Sequence, residues 1–116
     1  MNTSPAWAVG VLLLALAACG RYHVPPAHVM NAKAALQQAG IGGAAESTRG
    51  RAYLLAAEHE FQLAMGSNGK EADLFLLRSQ VDAELALALA REDSIRAHAQ
   101  DAVDRARALS ASQQRQ

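Results

Sequence analysis

The segment Glu58-His59-Glu60 contains the residue types that bind zinc and transfer protons. On a helix, consecutive side chains point about 100° apart, so three adjacent residues cannot close around one ion. The helical zinc motif also requires a second histidine four residues after the first, and Leu63 stands where that histidine would follow His59. The pattern therefore predicts the solvated polar side of a helix and no metal site.

Two histidines and one glycine-rich loop are the other candidates for chemistry. His23 and His28 lie on either side of a Pro-Pro pair, in a segment too flexible to give a metal or pH-sensing site a fixed geometry. The loop GSNGKE (66–71) shares only its Gly-Lys pair with a phosphate-binding loop, because Ala64 replaces the first glycine and Glu71 the hydroxyl residue. No nucleophile elbow, hydrolytic triad or pair of catalytic carboxylates stands out. The sequence therefore predicts a protein that is not an enzyme and has no cofactor.

Cys19 is the only cysteine of the chain, so it cannot form an internal disulfide or a thiolate metal site. It follows an apolar run of 13 residues, Ala6–Ala18. A helix that crosses a membrane needs about 20 such residues to cover a hydrocarbon core of about 30 Å. The shorter run is typical of the hydrophobic segment of a secretory signal peptide.

The four residues Leu16, Ala17, Ala18 and Cys19 resemble the lipobox of bacterial lipoproteins. The resemblance implies that the Cys19 sulfur receives a diacylglyceryl group and that the chain is cut between Ala18 and Cys19. It also implies that the new amine is acylated, for example with palmitate. Several acyl chains matter because one chain binds a membrane only marginally.

The residue after the lipobox and the leader before it bear on localisation. Gly20 is not the aspartate that typically retains lipoproteins at the inner membrane, so the resemblance favours the outer membrane, with the protein facing the periplasm. The leader MNTSPAW has no Lys or Arg, whereas signal peptides usually begin with positive charge. An ordinary cleaved signal and an uncleaved anchor therefore stay open as alternatives.

Composition predicts an all-α fold and excludes some partners. The 116 residues include 11 Lys plus Arg and 11 Asp plus Glu, and this balance argues against nucleic acid and against a polybasic membrane patch. Alanine supplies 22 of the 98 residues from Cys19 onward, and it is the strongest helix former. The class expected is an antiparallel alanine-rich helical hairpin or three-helix bundle with a long C-terminal helix.

Helix start and stop signals divide the chain after the signal peptide (1–18) and a lipidated tether (19–25). We expect a helical domain over 26–110 and a frayed tail over 111–116. Its first helix begins at Pro26 and ends before Gly40, and its second runs from Ser47 to Met65. Asn68 and Glu71 form a capping-box-like pair at the start of the third. The short loop between the second and third helices forces them to run antiparallel.

The third helix carries an apolar stripe with the spacing of a coiled coil. We expect its near half to be covered by the second helix through Leu74, Leu77, Val81, Leu85 and Ala88. The stripe continues beyond the reach of that helix through Ile95, Ala99, Ala102, Ala106 and Leu109, and with Val103 it forms a candidate docking face. A continuous helix is the preferred geometry, and a break at Asp93-Ser94 with a fourth helix folding back is the alternative.

Three alanine-rich segments stand out in the helical part: AKAALQQAG (32–40), YLLAAEHEFQLAMGSNGKEAD (53–73) and SQVDAELALALA (79–90). They resemble the bacterial domain-of-unknown-function 4398 family. Members of that family pair a lipoprotein signal with a short alanine-rich helical hairpin. The resemblance implies a cell-envelope setting and supplies no catalytic residues.

These observations predict a lipid-anchored envelope protein with a structural or adaptor role. It would act through helix–helix contacts with another envelope protein or with a second copy of itself. One alternative is a tetratricopeptide-like peptide-binding unit, although the chain has no 34-residue repeat and such folds normally need three repeats or more. A secreted helical protein that is free in the periplasm is the other alternative.

Overall fold

The computed structural model describes residues 20–116, which form three α-helices and, within that range, no strand. Helix α1 spans Pro26–Ile41, α2 spans Thr48–Gly66 and α3 spans Gly69–Gln114. The all-α class is therefore confirmed. The lipobox, the signal peptide and Cys19 lie outside the described residues.

The helix ends follow local sequence signals with two exceptions, the first being that α1 continues through Gly40, where it was expected to end, as far as Ile41. Pro26 takes the first position of α1, where its missing N–H is no loss. The Ser47 hydroxyl caps α2 by accepting a hydrogen bond from the Gly50 N–H at 3.0 Å. The predicted capping box of α3 does not form: Asn68 occupies the N-cap position, but its side chain makes no capping bond within the described chain.

The core is built almost entirely from alanine. Ala39, Ala57 and Ala86 lie in one cluster near the middle of the molecule, and Ala32, Ala64 and Leu76 form a second cluster near the start of α3. Because Ala32 packs near Leu76 and Ala39 near Ala86, α1 runs in the same direction as α3. Helix α2 runs antiparallel to both and completes a three-helix bundle.

Helix α3 packs on α1 and α2 through a row of mostly small side chains, which we call the covered face. Its members are Ala72, Leu76, Ser79, Ala83, Ala86 and Ala90. Two contacts show how close α2 comes to it. A Cβ added at Gly50 would lie 2.9 Å from the Ala86 carbonyl oxygen, and the Ser79 hydroxyl donates to the Ala57 carbonyl at 2.8 Å. This close approach leaves room only for small side chains beside Gly50, whereas the buried Leu54 and Leu76 lie at other levels of the core.

The expected packing of the near half of α3 is wrong. The side chains predicted to face α2, namely Leu74, Leu77, Val81, Leu85 and Ala88, are all exposed. They lie on the opposite side of α3 from the covered face. The physical reason is the close approach at Gly50, which admits alanine and serine and excludes leucine and valine.

Helix α3 is continuous, as predicted, and it passes through Asp93-Ser94 without a break. Its 46 residues correspond to about 69 Å at 1.5 Å per residue, and it ends at Gln114, a few residues later than expected. Every residue from Ser94 onward is exposed. We call Ser94–Gln114 the arm and the rest of the three-helix bundle the body. The arm extends roughly 30 Å beyond the body.

Candidate docking surface

Six leucine, valine and isoleucine side chains of α3 form an exposed stripe together with four alanines, which we call the open face, whereas Phe75, Leu76 and Leu87 pack on the core clusters. Its members are Leu74, Leu77, Val81, Leu85, Ala88, Ile95, Ala99, Ala102, Ala106 and Leu109. From Leu85 onward, these residues and Glu92 follow one another at alternating steps of three and four residues. This spacing keeps side chains on one side of a helix. The charged Glu92 interrupts the apolar stripe where it passes from the body to the arm.

The exposure of this stripe is high for side chains of its size. Val81 is 61% exposed, Ile95 68% and Leu109 66%, and even Leu85 on the body is 38% exposed. Single exposed apolar residues are ordinary, whereas a contiguous apolar strip along a whole helix is typical of a binding surface. The predicted docking residues Ile95, Ala99, Ala102, Val103 and Leu109 all lie on the arm and are exposed.

An acidic pair borders the body half of the open face. A shallow depression is lined by Leu77 and Val81, with Glu60, Arg78 and Asp82 at its edge. The Glu60 Oε2 atom is buried and has no hydrogen-bond partner among the described residues. Burial, followed by the charge of Asp82, raises the pKa of Glu60 above its ordinary value. The whole Glu58-His59-Glu60 segment was predicted to be solvated. Glu58 and His59 are exposed, but Glu60 is half-buried.

Asp93 fixes the point at which the arm leaves the body. Its carboxylate accepts a hydrogen bond from the Ser47 hydroxyl at 2.6 Å and from the Arg49 guanidinium at 2.5 Å. The bond from Ser47, and then that from Arg49, holds the pKa of Asp93 below its ordinary value. Arg49 also lies 3.3 Å from Glu92. The start of α2 is thus joined to the last covered turn of α3.

The arm carries charged pairs that support a helix in water. Arg96 contacts Glu92 at 2.5 Å, and Arg105 lies 3.8 Å from Asp101. Pairs at this spacing contribute about 0.2–0.5 kcal/mol each to an isolated helix. The arm can therefore remain helical while its apolar stripe stays uncovered.

The tether does not form a free stalk. The Tyr22 hydroxyl donates to the Asp73 carboxylate, and the His28 Nδ1 contacts the other oxygen of the same group. The bond from Tyr22, and then that to His28, lowers the pKa of Asp73, while the same carboxylate raises the pKa of Tyr22. Val24 packs against the second core cluster. The described part of the tether is therefore bound to the start of α3.

The sequence interpretation did not identify Asp73 or Asp93 as structural residues. Both are charged, yet both lie along the side of α3 that packs on α1 and α2, close to Ala72 and Ala90 in sequence. A carboxylate at the edge of a small-residue stripe requires a partner, and this signal could have been used. The partners Tyr22 and Ser47 are 51 and 46 residues away, so no local pattern pointed to them.

Within residues 20–116, no group of three His, Cys, Asp or Glu side chains is placed to hold a metal ion. No helix in that range is long and apolar enough to cross a membrane.

Comparisons of the chain with protein-family models, with curated proteins and with solved structures find no match. The resemblances to bacterial lipoproteins and to the domain-of-unknown-function 4398 family therefore stay predictions from the sequence.

Proposed function

We propose that this protein is a lipid-anchored module of the bacterial envelope that works by helix–helix contact and catalyses no reaction. The observation that carries the proposal is the open face, which leaves six leucine, valine and isoleucine side chains of α3 in water between Leu74 and Leu109. Exposed apolar surface on this scale is costly unless another surface covers it. A second helix is the partner shape that fits a straight stripe with coiled-coil spacing.

The proposed anchor is compatible with the arrangement of the body. Cys19 immediately precedes the described tether, and Tyr22 is hydrogen-bonded to Asp73 at the start of α3. An acylated Cys19 would therefore hold the first turn of α3 close to the membrane surface. The arm lies at the other end of the same helix, so its docking residues would be the part of the protein farthest from the anchor along α3.

Crosslinking in living cells tests the docking surface. A photoreactive amino acid placed at Ile95, Val103 or Leu109 should form a covalent product with a neighbouring polypeptide. The matched control is Leu55, which is 58% exposed on α2 and lies outside the open face. Absence of a product at all three arm positions would contradict the proposal.

The lipid anchor is tested separately by Cys19→Ser and cell fractionation. We expect the parent protein to sediment with the outer membrane and the variant to lose that association. Intact-mass measurement of the parent should show an acylated chain that begins at Cys19. A Cys19→Ser protein that stays as membrane-bound as the parent would contradict the anchor and would leave the docking surface untouched.

A further inference from the structure

We infer that the open face of α3 binds the open face of a second copy of this chain, with the two helices antiparallel. The inference rests on the proposed role of the open face as a docking surface and names its occupant. The body half of the stripe is rich in large side chains and the arm half is rich in alanine. An antiparallel pair would place each arm along the body half of the other copy, so that both uncovered surfaces are covered at once.

The side chains match in size when the helices are aligned about the midpoint between Asp93 and Ser94. In this register Val81 lies opposite Ala106 of the second copy, Leu85 opposite Ala102 and Ala88 opposite Ala99. Large residues therefore meet small ones in the first two of these layers and two alanines meet in the third, which allows the helix axes to approach closely. The central layer places Ile95 opposite Glu92 of the second copy. The two-fold symmetry repeats each of these layers on the other side of the midpoint.

Charge complementarity favours the antiparallel direction. Glu84 and Arg105 lie on the same flank of the stripe, and the register places Glu84 at the level of Arg105 of the second copy, twice per dimer. On the other flank, Asp82 and Arg78 both lie near the level of Arg107 of the second copy, so attraction and repulsion offset each other there. A parallel pair would instead bring Arg91 beside Arg96 of the second copy on both sides, which repels.

The area of the open face is sufficient for a specific dimer. The stripe from Leu74 to Leu109 is about 52 Å long at 1.5 Å per residue, and a helix with its side chains is about 10 Å wide. Two such strips bury roughly 1,000 Å², which lies at the lower limit for a biological interface. The bundle presents no obstacle, because α1 and α2 pack on the opposite side of α3.

The same geometry is compatible with two lipid anchors on one membrane. Helix α1 and the tether lie on the flank of α3 that carries Asp73 and Leu87. In an antiparallel pair the two-fold axis is perpendicular to the plane of the two helices, so this flank faces the same side in both copies. Both tethers would then leave the dimer from one side, near its opposite ends.

The inference is tested by the mass that the segment from Gly20 to Gln116 has in solution, which reports its oligomeric state. This segment contains all three helices and both core clusters. Sedimentation equilibrium should give the mass of a dimer, and Leu85→Asp should give a folded monomer. Leu55→Asp, at a more exposed leucine outside the open face, should leave the dimer intact. A parent protein that stays monomeric at its highest soluble concentration would overturn the inference.

Charge reversal tests the antiparallel register in the same measurement. Glu84→Arg and Arg105→Glu should each weaken the dimer about tenfold, because each places like charges together twice. The double variant should recover the parent affinity. A double variant weaker than either single variant would overturn the register. If the purified chain is monomeric but the arm crosslinks to a different protein in cells, the proposed function stands and the second-copy inference fails.

Discussion

The covered and open faces of α3 differ in a way that reverses the usual distribution of side-chain sizes. Alanine and serine dominate the face buried against α1 and α2, whereas leucine, valine and isoleucine occupy the face in water. Burying a leucine or valine side chain contributes about 1.5–3 kcal/mol, and burying a single methyl-sized group contributes about 0.8 kcal/mol. The body therefore owes its packing to the close approach of its helices, and its greater hydrophobic potential lies on the outside.

The largest expected effect comes from enlarging a side chain on the covered face. Ala86 is fully buried, and its carbonyl oxygen lies close to Gly50 of α2. Ala86→Leu should therefore force the helices apart and reduce the free energy of unfolding by about 3 kcal/mol, measured by urea denaturation.

Ala97→Leu is the matched control for this substitution. Ala97 lies on the same side of α3 but on the arm, where it is exposed. The control should change the free energy of unfolding by less than about 0.5 kcal/mol. Equal effects of the two substitutions would show that the covered face is not closely packed.

A smaller effect is expected from Gly50→Ala, which tests the close approach directly. An added methyl group would meet the Ala86 carbonyl oxygen at 2.9 Å, a backbone contact that cannot rotate away. We expect a loss of about 1–2 kcal/mol in the free energy of unfolding, although alanine is the better helix former. Gly40→Ala, which has open space around it, should instead stabilise the protein by about 0.5–1 kcal/mol. A stabilising Gly50→Ala would contradict the close approach.

Asp93→Asn should weaken the junction between the body and the arm in a pH-dependent way. The pKa of Asp93 is lowered in the folded protein, so its contribution is present at neutral pH and is lost as the pH falls below about 4. The urea midpoint of the variant should lie below that of the parent at pH 7, and the difference should shrink as the pH falls below about 4. Asp101→Asn, on the exposed arm, is the control and should change little at either pH.

The smallest effect concerns the tether, where Tyr22→Phe removes the hydrogen bond to Asp73. The tether should then leave the body more often, and trypsin should cleave after Arg21 several-fold faster, as measured by mass spectrometry. In the control variant Tyr53→Phe, on the exposed side of α2, trypsin should cleave after Arg21 at the parent rate. Because the pKa of Asp73 is lowered, its carboxylate stays charged at the neutral pH of the digestion, and the parent keeps this hydrogen bond throughout.

Much of the fold could be predicted from the sequence because its signals are local. Alanine content, Pro26, Ser47 and the glycines between the helices were sufficient for the class, the helix number and the continuity of α3. The orientation of α3 could not be predicted in the same way. Both of its faces repeat at helical spacing, and the larger residues were assigned to the interior because they gain more from burial.

The assignment failed because it depends on a contact between distant residues. Gly50 appears in the sequence as a weak point in a helix, and only its proximity to Ala86 explains why a small residue is required there. The docking residues of the arm were found for the opposite reason, because no other element is long enough to cover them. Asp73 and Asp93 depend on partners in other helices or in the tether, so local spacing gave no indication of them.

Amide hydrogen exchange along α3, measured over a range of protein concentrations, tests most directly whether the open face is a helix-binding surface. The body should be protected at every concentration, and we expect protection of the arm from Ala99 to Leu109 to rise with concentration as a second copy covers it. If the amide exchange rates of the arm do not change with protein concentration while the body stays protected, the pairing of the two open faces is contradicted.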